Sequence, residues 1–207
     1  MRLVQSSQRG LSPVLAHFQQ RAANYSRASE IGLWTWQRRR ELAALAALAG
    51  EVKGATVLDL GCGAGFYAIR FADAGASSVV AVDASPAMIS AITDDRIETV
   101  LGDAASVALD RSFQLIVLAG LLEFVCDPIA VLVNARQHLE TGGRIVALVP
   151  SDNFAGRLYR VFHRNHGFTI DLFSRPRFAQ VAKRAQLVIL QSQVVLPFGD
   201  VHVMAVR

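Results

Sequence analysis

A glycine-rich segment at residues 57–66, with the sequence VLDLGCGAGF, constrains this chain more than any other feature. Its first half is an apolar run typical of a buried strand, and its second half has the composition of a turn that opens a helix. Glycines at positions 61, 63 and 65 permit positive φ angles and allow the backbone to pass close to a ligand. The free N–H groups of the following helix point back toward that ligand. The segment therefore predicts a nucleotide-binding loop.

Two details separate this loop from a dinucleotide-binding fingerprint. The third glycine of GxGxxG is missing, because Phe66 stands at its position. Asp59 lies two positions before the first glycine, where its charge would repel a pyrophosphate and favour a cationic ligand. S-adenosylmethionine has a sulfonium and an ammonium group and no phosphate. An NAD-type oxidoreductase is therefore the less favoured alternative.

The sequence VLDLGCGAG resembles the first motif of the class I S-adenosylmethionine-dependent methyltransferases. The resemblance covers about residues 51–149 by motif and 187–207 by topology. It implies an α/β fold with a Rossmann-like, doubly wound sheet of seven strands in the order 3-2-1-4-5-7-6, strand 7 being antiparallel. It also implies S-adenosyl-L-methionine as the cofactor and methyl transfer as the reaction.

The resemblance implies cofactor-binding residues at the ends of four strands. An acid 22 positions after Gly61, Asp83, would bind the ribose hydroxyls, unless it only caps the next helix. Asp103 would accept a hydrogen bond from the adenine amino group, unless it only forms a surface turn. Met88 lies beside the adenine or fills the core, and Tyr25 corresponds to an N-terminal aromatic residue that folds over the cofactor. The full predicted set is Asp59, Gly61, Cys62, Gly63, Gly65, Asp83, Ala84, Met88, Asp103, Ala104, Ala119 and Tyr25.

The sequence does not single out a catalytic base. Methyl transfer requires that the acceptor be held in line with the methyl group in a site without water, and a base helps only when the acceptor is a hydroxyl. Many members of the resembled family have His where this chain has Phe124, so a catalytically idle methyltransferase-like partner protein is an alternative. The candidate bases are Tyr159, His163 and His166, followed by Glu123 and His138.

Charge is distributed unevenly along the chain. The formal net charge is +5 over residues 1–50, −6 over residues 51–150 and +5 over residues 151–207. The acidic centre coincides with the predicted cofactor region, so the basic ends would face an acceptor that is small or lipid-like and anionic, or would be solvated helix faces. No RNA-binding module accompanies the basic residues, and we do not expect a nucleic-acid partner.

Hydrophobic periodicity predicts alternating strands and helices. The predicted strands are at residues 56–60, 78–83, 97–101, 113–119, 144–149, 187–195 and 202–206. The predicted helices are at residues 12–24, 29–49, 66–74, 86–93, 128–140, 154–162 and 176–185. This pattern predicts an N-terminal helical cap over residues 1–50 and a methyltransferase domain over residues 51–207, with a helical insertion at about 151–175.

Two further features concern location and metals. The longest apolar run, residues 115–122, is too short to span a bilayer, and residues 1–10 lack the apolar centre of a signal peptide. We therefore expect a cytoplasmic protein without a transmembrane segment. Cys62 and Cys126 lack a CxxC pairing or an accompanying His pattern, so neither a metal site nor a disulfide is expected. The oligomeric state is not predicted.

Overall fold

The computed structural model describes residues 33–165 and 167–206, so the predicted helix at 12–24, Tyr25 and His166 lie outside the described residues. The helices are α1 (Leu33–Ala49), α2 (Phe66–Asp73), α3 (Pro86–Ser90), α4 (Pro128–Gln137), α5 (Phe154–Arg164) and α6 (Arg175–Arg184). The strands are β1 (Thr56–Leu60), β2 (Ser78–Asp83), β3 (Ile97–Leu101), β4 (Phe113–Ala119), β5 (Leu139–Pro150), β6 (Leu187–Val195) and β7 (Gly199–Val206).

The seven described strands form one sheet in the order β3-β2-β1-β4-β5-β7-β6. Strands β1 to β5 pair parallel with one another, and β7 pairs antiparallel with both β5 and β6. This order confirms the seven-stranded Rossmann-like prediction. The chain order reverses between β1 and β4, and the loops that follow these strands meet at the same edge of the sheet. That crevice is where open α/β sheets bind ligands.

The central strands are apolar on both faces because helices cover both faces of the sheet. On one face, Leu58 and Ile116 belong to a buried cluster that includes side chains of α4 and α6. On the other face, Val57 and Val117 pack in a second cluster with α2 and with Leu45 of α1. Helix α1 is thus part of the core of the sheet, and the division into a cap over 1–50 and a domain over 51–207 stays a prediction.

The structure corrects the predicted boundary between α4 and β5. The helix ends at Gln137 instead of residue 140, and β5 begins at Leu139 instead of residue 144. The backbone N–H of Phe113 donates to the carbonyl of His138 at 2.8 Å, and Phe113 pairs with Leu139. Because a register shift follows this pair, residues 141–143 lie within the irregular part of β5. Pairing with β4 overrides the local helix preference of this segment.

Two other boundaries differ from the predictions by three residues. Helix α3 stops at Ser90 instead of residue 93, where the N–H groups of Ala91 and Ile92 donate to carbonyls three residues back and tighten the last turn. Strand β7 begins at Gly199 instead of residue 202, because Gly199 pairs with Pro150 and Val195. Among the described residues, no helix is both long and apolar enough to cross a membrane. The cytoplasmic location stays a prediction.

Candidate functional site

The loop after β1 has the backbone geometry that its glycines allow. The φ angles of Gly61, Gly63 and Gly65 are +74°, +53° and +80°. A Cβ on Gly61 would lie 2.7 Å from Cδ1 of Leu121, so a larger residue would collide with the segment that follows β4. The N–H groups of Gly61 and Cys62 both donate to the carbonyl of Val82, at 2.8 and 3.0 Å. The loop is therefore anchored to β2 while it turns into α2.

Asp83 joins the end of β2 to this loop. Its Oδ2 accepts a hydrogen bond from the N–H of Gly63 at 2.8 Å, and its Oδ1 accepts one from the N–H of Ser85 at 2.8 Å. Burial raises the pKa of Asp83, although the hydrogen bonds from Ser85, Gly63 and Ala84 counteract that effect. Each carboxylate oxygen keeps lone pairs beyond these two bonds, so Asp83 can accept further hydrogen bonds from a ligand.

Asp59 is a buried acid at the same site, and its carboxylate has no hydrogen-bond partner among the described residues. Its side chain is 1% exposed, and neither carboxylate oxygen accepts a hydrogen bond of ordinary geometry from the described residues. Burial and, after it, the charge of Asp83 raise the pKa of Asp59 to about 7, against a lowering effect of the nearby N–H of Ala68. An unpaired buried carboxylate is unfavourable, and a cationic ligand would relieve both the burial and the repulsion. The site therefore fits a cofactor with a sulfonium and an ammonium group.

The other predicted cofactor residues that the structure describes lie at the carboxyl ends of the same strands. Asp103 follows β3 and accepts the N–H of Ala105 at 2.9 Å, while Ala104 is buried. Met88 is 1% exposed, which agrees with the alternative that it fills the core. Burial, then Asp59 and Asp83, raise the pKa of the Cys62 thiol. Ala84 follows β2 directly, and Ala119 is the last residue of β4.

Glu123 is a second buried acid, located after β4. It is 5% exposed, and its Oε2 has no hydrogen-bond partner among the described residues. Its carbonyl accepts the N–H of Asp171 at 3.0 Å, which ties the segment after β4 to the segment after α5. Burial, with a smaller contribution from repulsion by Glu41, raises the pKa of Glu123 to about 8. A carboxyl with this pKa is mostly protonated at neutral pH and becomes able to accept a proton as the pH rises through about 8.

Glu41 of α1 is a site residue that the sequence reasoning missed. Its Oε1 accepts a hydrogen bond from Nε2 of Gln37 at 3.0 Å, and its Oε2 accepts one from the hydroxyl of Tyr67 at 3.4 Å. Burial raises the pKa of Glu41. Glu41 is the one acid in the sequence of α1, next to the apolar stripe that includes Leu45. An acid at that position in the sequence could have marked Glu41 as a candidate site residue, although its proximity to Glu123 follows only from the fold.

Two of the predicted bases lie together in an aromatic cluster that also contains Phe124, the residue after Glu123. The ring centroid of His163 lies 4.4 Å from that of Tyr159, and both residues are on α5. The rings of Phe168 and Phe124 lie 5.0 and 5.7 Å from His163. This cluster places Phe124, where many family members have His, in contact with the imidazole of His163. The surroundings of Phe124, the residue after Glu123, are therefore largely apolar.

His138 does not belong to this site. It follows α4, at the end of the sheet opposite the glycine loop, and is 6% exposed. Its Nε2 accepts the N–H of Leu109 at 3.0 Å, and its Nδ1 lies 2.9 Å from the carbonyl of Asn134. Both ring nitrogens thus have main-chain partners, and His138 is corrected from a candidate base to a residue that closes the α4–β5 connection.

Comparison with known proteins identifies the family. A family model described as a methyltransferase domain matches residues 33–192 of the chain, which is more than half of its length. The chain belongs to the class I S-adenosylmethionine-dependent methyltransferases. The methyl donor of this family is S-adenosylmethionine. The NAD-type alternative has no support from this assignment.

Curated relatives of this methyltransferase resemble it over part of their length. Cypemycin N-terminal methyltransferase from Streptomyces sp is 37% identical over 98 residues, 44% of this chain and 40% of that protein. The mitochondrial ubiquinone biosynthesis O-methyltransferase of Schizosaccharomyces pombe is 30% identical over 122 residues, 55% of this chain and 44% of that protein. A tRNA U34 carboxymethyltransferase of Shewanella piezotolerans is 28% identical over 152 residues, which is 62% of this chain and 43% of that protein. The matched regions thus span less than half of each relative.

A solved structure supports the fold of the methyltransferase over nearly its whole length. Magnesium protoporphyrin IX methyltransferase from Synechocystis PCC 6803, solved with bound SAH, superposes with a TM-score of 0.74 at 13% identity. The superposition covers 95% of this chain and 99% of the other. At that identity the likeness concerns the fold, and the names of the relatives refer to chemically different acceptors.

Proposed function

We propose that this methyltransferase binds S-adenosylmethionine against the loop at residues 61–65 and transfers its methyl group to a small or lipid-like acceptor. The observation that carries the proposal is the Asp59 carboxylate, which is buried beside Asp83 and has no hydrogen-bond partner among the described residues. A cationic ligand is the simplest way to compensate such a charge.

The proposal gives each predicted residue a part in cofactor binding. Asp83 binds the ribose hydroxyls through the lone pairs that its two main-chain hydrogen bonds leave open. Asp59 faces the cationic end of the cofactor, and Asp103 with Ala104 contacts the adenine. The remaining residues, which line the pocket or close it, are Gly61, Cys62, Gly63, Gly65, Ala84, Met88, Ala119 and Tyr25.

The acceptor side of the proposal rests on Glu123 and the aromatic cluster. An apolar wall of Phe124, Tyr159 and Phe168 suits a small or lipid-like acceptor better than a polynucleotide. Because Glu123 and Glu41 are acidic, an anionic group of the acceptor would lie away from them. It would lie toward the exposed arginines of α5.

Bound S-adenosylmethionine supplies an activated methyl group on a sulfonium. The protein's part is to hold the acceptor in line with that methyl group and to exclude water, which the aromatic wall does. For a hydroxyl acceptor, the unpartnered Oε2 of Glu123 takes the proton, and this capacity appears as the pH rises through about 8. A neutral amine requires no base, so O- and N-transfer differ in their dependence on Glu123.

Calorimetry and a transfer assay test the proposal together. We expect S-adenosylmethionine to bind and NAD not to bind. Transfer from labelled S-adenosylmethionine is then measured to hydroxyl and amine compounds, lipids, a peptide N-terminus and tRNA. We expect small or lipid-like acceptors to be methylated, and Glu123→Gln to slow transfer to hydroxyls while cofactor affinity is kept. Transfer confined to peptide or tRNA would overturn the acceptor class.

A second candidate function is a methyltransferase-like partner protein that binds the cofactor without turnover. The observation that favours it is Phe124, which stands where many family members have His. Cofactor binding of normal affinity with no transfer to any member of the panel supports this second candidate. Transfer to any acceptor that is lost in Glu123→Gln excludes it.

A further inference from the structure

We propose that α5 is an interfacial helix that docks this methyltransferase on an anionic lipid surface. The helix runs over Phe154–Arg164 and divides into three sectors around its axis: one buried, one apolar and exposed, and one basic and exposed. Such a division is typical of helices that lie in the plane of a membrane interface.

The buried sector fixes which way the helix faces. Gly156 and His163 are buried, and a Cβ on Gly156 would collide with the carbonyl of Ser151. At the start of the helix, Oδ1 of Asn153 accepts the N–H of Gly156 at 2.7 Å, and its Nδ2 donates to the carbonyl of Pro197 at 3.0 Å. One face of the helix therefore packs against the protein, and hydrogen bonds of Asn153 hold its N-terminus in place.

The apolar sector consists of residues at spacings of four, three and one. Phe154 is 79% exposed, Leu158 55%, Val161 43% and Phe162 44%. At 100° per residue these four positions span about 100° of the helix surface. Leu196, which is 57% exposed, belongs to the loop that Asn153 holds beside the start of α5. Clustered exposed side chains of this size mark an interaction surface.

The basic sector identifies the kind of partner. Arg157, Arg160 and Arg164 are exposed and, at 100° per residue, lie between the apolar sector and the buried face. Arg157 pairs with Asp152 at 3.0 Å, whereas Arg160 and Arg164 form no ion pair with the described residues. The charge of residues 151–207 is +5, so an anionic surface is complementary. Apolar side chains flanked by arginines match a bilayer with anionic headgroups.

The inner side of the same helix links docking to chemistry. Tyr159 and His163 of α5 form part of the aromatic cluster next to Glu123. Docking would thus place the proposed acceptor site at the membrane interface, where a lipid-like acceptor is concentrated. This last step rests on the proposed function, whereas lipid binding itself requires neither cofactor nor turnover.

The test is co-sedimentation of the full chain with vesicles. We expect binding to phosphatidylcholine vesicles that contain phosphatidylserine, weaker binding to phosphatidylcholine alone, and loss of binding as salt rises. Leu158→Ser with Phe162→Ser, and separately Arg160→Gln with Arg164→Gln, should each lower the partition coefficient roughly tenfold. The matched control is Leu190→Ser, because Leu190 is 63% exposed on β6 and should not affect partition.

Three results overturn the proposal. They are no binding of the wild-type chain to either vesicle, equal loss in Leu190→Ser, and a wild-type dimer that Leu158→Ser dissociates, which would make a second copy the occupant of the surface. Calorimetry with S-adenosylmethionine shows that each variant is folded. Vesicle binding by a protein that methylates nothing would sustain docking and contradict only the proposed function.

Discussion

The acidic site at the carboxyl ends of β1, β2 and β4, called the loop side here, and the exposed face of α5, called the α5 side, differ in the sign of their charge and in where that charge lies. Asp59, Asp83 and Glu123 are buried or half-buried, and burial raises the pKa of each. The arginines of α5 are exposed beside apolar side chains. A buried charge selects a ligand strongly, because an unpaired one is costly, whereas an exposed charge attracts a partner from solution with little specificity. Cofactor selection and partner attraction are thus separated in space.

We expect the largest effect, a loss of cofactor affinity, from a substitution that disturbs the backbone of the glycine loop. Gly63→Val introduces a branched side chain at φ +53° in the loop that donates to Asp83, so we expect cofactor affinity to fall at least about a hundredfold. Calorimetry measures this. The control is Gly142→Val, at φ +80° with no atoms within 4 Å of its added Cβ, which should keep normal affinity. Normal affinity in Gly63→Val would contradict the loop assignment.

Removal of one carboxylate from the loop side should have the next largest effect. Asp83→Ala should weaken S-adenosylmethionine binding by about 1.5 to 3 kcal/mol, the range of charge-assisted hydrogen bonds. Asp95→Ala is the control, because Asp95 is an exposed acid in the loop before β3. An unchanged dissociation constant in folded Asp83→Ala would remove this residue from the proposed site.

The pH dependence of the free energy of unfolding tests whether Glu123 is buried. Its pKa is about 8 in the folded protein, against 4.5 as the ordinary value. The protonated form is favoured on folding, so this contribution to stability is fully present below pH 4.5 and is lost as the pH rises through 8. Glu123→Gln should therefore be more stable than wild type at pH 8, by about 2 kcal/mol. Urea unfolding measures this, and equal stabilities at pH 8 would mean that Glu123 is not buried as a charge.

The pH dependence of cofactor affinity sharpens the role of Asp59. Its pKa of about 7 applies without a ligand, and a cation would lower it. Affinity should be highest above pH 7 and fall as the pH drops below 7, by at most about tenfold per pH unit for one proton. Asp59→Asn should bind more weakly and with a flatter pH profile. A wild-type affinity that is constant from pH 6 to about 8 would show that Asp59 does not meet the cation.

The smallest expected effect concerns the α5 side. Changing Arg157, Arg160 and Arg164 together to Gln should raise the Michaelis constant for a soluble anionic acceptor by a few fold, roughly what exposed charges contribute, and added salt should do the same. Cofactor affinity should not change, since the site at Asp59 lies apart from these arginines. If the triple variant keeps its acceptor kinetics at low salt, the arginines are a solvated face for soluble substrates.

Much of the fold was predictable from local pattern. The bounds of β1 and β2 agree with the sequence because each is an apolar run that ends in a turn signal, and the terminal hairpin follows from a break between two such runs. The start of β5 was not predictable, because it depends on pairing of Leu139 with Phe113 across a register shift. The placement of His138 away from the site has the same origin.

The candidate site divides in the same way. The glycines and acids of the loop could be predicted because a strand, a turn and a helix in ten residues fix their relative positions. The proximity of Glu41 to Glu123 could not, since these acids are far apart in sequence and only the packing of α1 on the sheet brings them near each other. The contact between Phe124 and His163 likewise depends on how α5 returns over the sheet.

The sequence by itself determined the glycine loop and the acids near the ends of β1 and β2, because these depend on short-range pattern, and the family resemblance of that loop implied the strand order. Tertiary structure decided that Asp59 has no hydrogen-bond partner among the described residues, that Glu123 is repelled by Glu41, and that α5 turns an apolar sector outward. The physical reason is that burial, pKa and exposure depend on neighbours from distant segments. A residue's own sequence position does not specify those neighbours.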